Sequence, residues 1–272
     1  MIPSYRHFAA LAFALFLVIG MVVPCTAAGE RADSDDEPVR VGPDISFYAE
    51  GKFVYENNCV VCHGLMGDGR GEMAASLGIK PRSFKTGIFK YRSTPWGKLP
   101  ATEDLERVVH NGITGTAMGM FTNLSDEQLR AVVEYIKFFS RKWRKPENYA
   151  PPLELPKQPS WLVDDAQVAS HAAKGKETFQ TVCAACHGPA GDGKGPAAAA
   201  LKDDWGDPAT PADLRQPHLR NGDEPIDIFR VLMTGLNGTP MVSFADAFTE
   251  EQKWDLAAYV LTLRKNFATA EK

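Results

Sequence analysis

Two stretches of the chain carry apolar residues at helical spacing behind a readable start signal. In the first, Leu129, Val132, Val133, Ile136 and Phe139 follow Ser125 and Gln128; in the second, Leu256, Tyr259, Val260 and Leu263 follow Thr249 and Gln252. A Ser or Thr with Gln three residues later is a capping box, and an i, i+3, i+4 stripe behind it predicts an amphipathic helix with its apolar side inward. Shorter helices are expected over Glu103–Asn111, over Asp165–Val182, and around Gly51–Tyr55. No β-branched alternation marks strands, so the predicted class is all-α.

At the N-terminus the pattern is different. Arg6 and His7 precede an uncharged run from Phe8 to Val23, then Pro24 and the small residues Thr26-Ala27-Ala28. This is the layout of a secretory signal, assigned to residues 1–28. The run is shorter than the ~20 apolar residues of a spanning helix, which favours cleavage over a retained membrane anchor. Pro24 disfavours a lipid anchor on Cys25. Residues 29–43 are acidic and aperiodic, and read as a flexible mature N-terminus. Prolines 146, 151, 152, 156 and 159 mark an extended connector over 146–164.

The two halves on either side of that connector repeat each other at an offset of 123–124 residues. Gly51-Lys52-x-x-Tyr55 matches Gly175-Lys176-x-x-Phe179. Gly67-Asp68-Gly69-Arg70-Gly71 matches Gly191-Asp192-Gly193-Lys194-Gly195, and these glycines lack the spacing of a phosphate loop. The centre of each repeat is Cys59-x-x-Cys62-His63 and Cys183-x-x-Cys186-His187, the attachment signature of a c-type haem. Two residues between the cysteines set their sulfurs about a helical turn apart, within reach of the vinyl groups of one porphyrin. A zinc ribbon needs its cysteine pairs ~15–20 residues apart, and a thioredoxin-like motif needs a βαβ setting; neither holds here. These four cysteines leave none for a structural disulfide, and covalent haem attachment outside the cytosol agrees with the export signal.

A haem iron with one histidine ligand has a sixth position to fill. Gly115-Thr116-Ala117-Met118 aligns with Gly238-Thr239-Pro240-Met241, so a thioether recurs 55 residues after His63 and 54 after His187. Met120 aligns with Ser243 and His110 with Met233, which leaves Met118 and Met241 as the axial candidates. His171 and His218 lack a histidine counterpart and are expected at the surface.

On these motifs both halves resemble class I cytochrome c domains, over about residues 44–145 and 165–268. The resemblance implies that Cys59, Cys62, Cys183 and Cys186 bind two covalent haem c groups, and that His63, Met118, His187 and Met241 are axial iron ligands. It implies a close crossing of the first and last helices of each half, through Gly51 and Tyr55 on Val132 and Tyr135, and through Gly175 and Phe179 on Leu256 and Tyr259. It also implies a proline carbonyl on each proximal histidine, for which Pro81 and Pro211 are the candidates. The second half departs from the pattern between Leu201 and Asp227.

The expected function is single-electron transfer between redox protein partners in a periplasmic respiratory chain, with no catalytic residues. Two alternatives stay open: a haem enzyme such as a dihaem peroxidase or thiosulfate dehydrogenase, and the cytochrome subunit of a membrane oxidase or periplasmic dehydrogenase, associated with a membrane through that complex or the N-terminal segment. Net charge is −4, and neither half is basic enough for nucleic acid. Residues 41–150 carry 15 Lys+Arg against 12 Asp+Glu, and residues 151–272 carry 12 against 17. Lys85, Lys90, Arg92 and Lys98 are the expected basic approach to the first haem, and Asp203, Asp204 and Asp207 the acidic counterpart for a partner of opposite charge.

Overall fold

The computed structural model describes residues 40–270, with side chains to Lys265. The readings for residues 1–28, and for 29–39 of the acidic segment, lie outside the described residues. Helix α1 (Tyr48–Asn58) runs into the short α2 (Val60–His63), followed by α3 (Thr102–Asn111) and α4 (Asp126–Lys137). The second set repeats the order: α5 (Asp165–Thr178), a π turn (Phe179–Cys183), α6 (Ala184–His187), α7 (Pro225–Thr234) and α8 (Glu250–Ala270). Among the described residues there is no β-strand, only a single isolated bridge between Lys202 and Pro208.

Both long terminal helices start as their sequences dictate. Ser125 Oγ accepts from Gln128 N–H while Gln128 Oε1 accepts from Ser125 N–H, each at 3.2 Å. Thr249 and Gln252 repeat the exchange at 3.2 and 2.9 Å. Each box satisfies two otherwise unpaired helix donors, an arrangement worth about 1 kcal/mol.

The helix crossings need glycine. A Cβ at Gly51 would run into the carbonyl of Ala131, and one at Gly175 into that of Asp255. The backbones therefore touch, and the flanking aromatics close over the contact. Tyr55 lies 5.4 Å from Tyr135, and Phe179 lies 5.1 Å from Tyr259, ring centre to ring centre. Around the first crossing Val54, Tyr55, Val132, Val133, Ile136 and Trp143 are buried together. Around the second, Phe179, Leu232, Leu256 and Tyr259 form one cluster, and Phe229, Trp254 and Val260 form another behind it.

The described residues fall within one compact unit, so the two helix sets are packed together. The proline-rich stretch runs between them without hanging free. Leu153 N–H donates to Ser93 of the first half at 2.8 Å, while Leu155 packs against the second half's core. Arg92, 1% exposed, donates through Nη2 to the carbonyl of Thr234 at 2.5 Å. Asn237 completes the join, accepting from Gly97 N–H at 3.1 Å and donating to the Lys98 carbonyl at 3.2 Å.

Candidate functional site

Each C-x-x-C-H motif ends a short helix at a glycine whose φ of 76° only glycine adopts without strain, Gly64 in one half and Gly188 in the other. The chain then turns back so that a loop residue meets the histidine. His63 Nδ1 lies 3.0 Å from the carbonyl oxygen of Arg82, and His187 Nδ1 lies 3.3 Å from that of Ala212. An Nδ1–H donated to a carbonyl fixes the tautomer and leaves Nε2 free to ligate a metal. Burial holds both imidazoles below their usual pKa, with the carbonyl hydrogen bond opposing.

The expected proline carbonyls are therefore displaced by one residue. Pro81 and Pro211 turn their oxygens toward the glycine turns instead, where a Cβ at Gly69 would sit 2.5 Å from the Pro81 oxygen and one at Gly193 2.6 Å from that of Pro211. Neighbouring carbonyls in a non-helical stretch point different ways, so the oxygen that reaches the histidine belongs to the residue after the proline.

The cysteines are half-buried and unpaired. Burial, with the neighbouring Cys62 adding to it, pushes the Cys59 thiol up to about 12, and burial with Cys186 beside it pushes Cys183 up to about 11.

The methionine loops are copies of one another. Thr116 Oγ1 accepts from Met118 N–H at 3.0 Å and donates to the Ile113 carbonyl at 2.8 Å; Thr239 does the same with Met241 and Leu236 at 3.2 and 2.7 Å. The Met118 carbonyl accepts from Ile113 N–H at 2.9 Å, and that of Met241 from Leu236 N–H at 2.8 Å. Both methionines are half-buried, whereas Met120 is 71% exposed. His110 lies exposed at the end of α3, 2.8 Å from its neighbour Asn111.

In the second half Cys183, Cys186, His187 and Met241 line one cavity of about 1170 Å³. A porphyrin's apolar faces are matched by Phe179, Phe244, Leu256 and Val260 on its walls. In the first half His63 is stacked on Phe84 with ring centres 4.5 Å apart, and a smaller cavity of about 280 Å³ separates Leu77–Ile79 from Gly115–Ala117 of the methionine loop. The donor set of each half, two thiols, one oriented imidazole and a thioether on a matching loop, fits a c-type haem. When bound, that group supplies a reversible one-electron centre.

The charged residues expected to face partners are divided: Arg92 is enclosed between the halves, whereas Lys85 and Asp204 are exposed. Arg92 is buried on Thr234, the Lys98 amine donates to the Glu147 carbonyl at 2.7 Å, and Lys85 and Lys90 line the second half's cavity with Asp203 and Asp207. The divergent loop after Leu201 is the surface that receives the first half: Arg82 stacks over Trp205 at 3.7 Å. Neither residue stood out in the sequence, although Arg82 follows Pro81 directly. His171 also departs from expectation, being stacked on Trp161 at 3.7 Å and bonded to Asp255 at 2.5 Å, where it clips α5 to α8. His218 is exposed as expected, bonded to Asp223 at 2.6 Å.

The family model described as Cytochrome c matches the chain twice, over residues 48–139 and 172–264. Among solved structures, the chain is similar to one titled Kuenenia stuttgartiensis reducing HAO-like protein complex Kustc0457/Kustc0458, at 34% identity and a TM-score of 0.74, covering 83% of this chain and 99% of that one. Comparison with curated proteins gave no match. With both helix sets matched in tandem and the haem-attachment motifs at equivalent places, this chain belongs to the cytochrome c family.

Proposed function

We propose that the protein is a periplasmic dihaem cytochrome c that passes single electrons between protein partners, with Cys59, Cys62, Cys183 and Cys186 as tethers and His63, Met118, His187 and Met241 as axial ligands. The observation that supports this reading is the shared hydrogen-bond frame of the two methionine loops, in which Met118 and Met241 occupy matching backbone positions. Methionine paired with histidine raises the potential of a haem iron, and a filled sixth position leaves little to rearrange when an electron arrives. The residues of the chain orient the imidazoles, exclude water and hold the redox group in register; no substrate-handling side chain is required.

Similarity to a chain from a multi-protein complex supports the closely related reading of an electron-transfer subunit. The first half presents large apolar side chains around its motif that would suit a protein face: Val61, Leu65, Met66 and Met73 are 47–60% exposed. Their counterparts in the second half are Ala185, Pro189, Ala190 and Ala197. Export through the N-terminal segment supplies the compartment in which covalent haem attachment takes place.

The test is spectroscopic. Met118→Ala and Met241→Ala should each remove the thioether-to-iron charge-transfer band of one haem, while Met120→Ala removes neither. Loss of the first haem's band in Met120→Ala alone would break the register on which the reading depends. Two haems should remain with the polypeptide after acid acetone; one would contradict the dihaem count. Native purification that yields a stable partner oxidoreductase would select the subunit reading over the free carrier.

A further inference from the structure

The loop that brings a carbonyl to each proximal histidine is anchored differently in the two halves. In the second half the anchor is local: Asp213, next to Ala212, accepts from the backbone N–H, Nε and Nη2 of Arg215 at 3.0, 2.8 and 2.8 Å. The matching residues of the first half, Ser83 and Lys85, include no carboxylate. There the residue whose carbonyl meets His63 is itself an arginine, and its side chain crosses to the second half, where the guanidinium lies over the Trp205 ring at 3.7 Å. The contact is shielded from water: burial pushes the Arg82 guanidinium down to about 10, against the opposing pull of Asp203. A cation over an indole face gains most when it is desolvated.

Trp205 is itself held in place. Asp203 Oδ1 accepts from the Trp205 and Asp207 N–H groups, each at 3.0 Å, which closes the turn that carries the indole. Asp204 N–H donates to the Gly238 carbonyl at 3.0 Å, and the indole packs so closely on Gly238 that a Cβ there would sit 2.7 Å from its ring. The platform under Arg82 is thus fixed to the methionine loop of the second half.

We propose that Trp205 is a positioning residue for the first haem: by holding the Arg82 side chain it steadies the carbonyl that orients His63, so the ligand set of one half is completed by the other. The proposal rests on His63 as an axial ligand, as read above. An imidazole whose Nδ1–H is bonded to a carbonyl is the stronger donor to a metal. A carbonyl that drifts weakens that donation and so favours the reduced iron. Ala212, with only a methyl group, offers no such reach toward the first half. The dependence runs one way.

The experiment is proton NMR of the reduced holoprotein, with a redox titration beside it. In the parent the ring protons of His63 should show the large upfield shift of an imidazole lying beneath a porphyrin; absence of that shift would break the ligand reading itself, and the proposal with it. Trp205→Leu and Arg82→Leu should each speed solvent exchange of the His63 Nδ1–H by roughly tenfold, with that of His187 unchanged. Both should raise the reduced-to-oxidised ratio of the first haem, at fixed ambient potential, by roughly threefold. The first haem is recognised as the one whose thioether band is lost in Met118→Ala. The double variant should match either single one, because both remove the same contact. Trp205→Phe keeps an aromatic face and should stay within about twofold of the parent. Arg82→Leu retains the main-chain carbonyl, and so carries the test where the larger deletion at Trp205 disturbs the fold. Asn237→Ala, which loosens the join at Gly97 and Lys98 but not this stack, should leave His63 at the parent rate. An unmoved His63 N–H in Arg82→Leu, effects that add in the double variant, or an equal change in Asn237→Ala would overturn the proposal. So would a change confined to the second haem, whose cavity Trp205 also lines.

Discussion

The two halves share a backbone plan and differ in what they bury. In α4 the first half encloses Lys137 and Glu134, 2.5 Å apart and both buried, with Glu134 also accepting from Asp44 N–H at 2.8 Å. The corresponding positions of α8 are Ala258 and Leu261. Tyr55 donates to the Gly64 carbonyl at 2.7 Å beside its haem motif, whereas Phe179 stands in its place. One fold thus tolerates a polar or an apolar solution at equivalent points, while the glycine crossings, the histidine carbonyls and the methionine loops are kept. The retained features are the helix crossings and the loops that carry the candidate ligands.

The strongest way to break that comparison is at the crossings. Gly51→Ala and Gly175→Ala both drive a methyl group into a helix carbonyl and should each cost about 3 kcal/mol or more, read as a fall in the denaturant midpoint. A mild effect in one half would show that its helices cross with more room than the other's.

Lys137→Met should cost about 3 kcal/mol, because it leaves Glu134 charged and buried without its main partner. Glu134→Ala combined with Lys137→Leu, the residues of the second half, should recover much of that loss in the same unfolding assay. If the double variant is worse than Lys137→Met, the ion pair is not interchangeable with apolar packing.

The smallest effect concerns the loop that carries the Ala212 carbonyl. Arg215 beside Asp213 holds its carboxyl down to about 2, from an ordinary 3.8, and the first half has Ser83 at the equivalent place. A depressed carboxylate stabilises the fold above its unfolded pKa and loses that contribution as pH falls through its folded one. Asp213→Ser should therefore lower stability at neutral pH by less than about 1 kcal/mol, since the pair is partly exposed to solvent. The gap between parent and variant should close as pH drops from about 4 to about 2. A gap that persists at the acid end would mean that packing, and not charge, is what Asp213 supplies.

The helices and the haem motifs were legible because each has a local cause: a capping box, an apolar stripe, a fixed C-x-x-C-H spacing. The repeat added a control that a single domain lacks, since Met118 kept a counterpart and Met120 did not. What the sequence hid was tertiary. Arg82 and Trp205 are far apart along the chain, and nothing local marks them as neighbours. The departure of the repeat after Leu201 was visible, but its cause was not: that loop is shaped to receive the other half. Arg92 was misplaced for the same reason: expected on a basic approach, it is buried against the carbonyl of Thr234.

The proline-rich connector, bonded at Leu153 to one half and packed at Leu155 on the other, is a strut and not a tether. Exchange of an electron between the two ends of the molecule then needs no diffusive search of one domain for the other. Its rate should be indifferent to solvent viscosity, and only the encounter with outside partners should slow in a thicker medium.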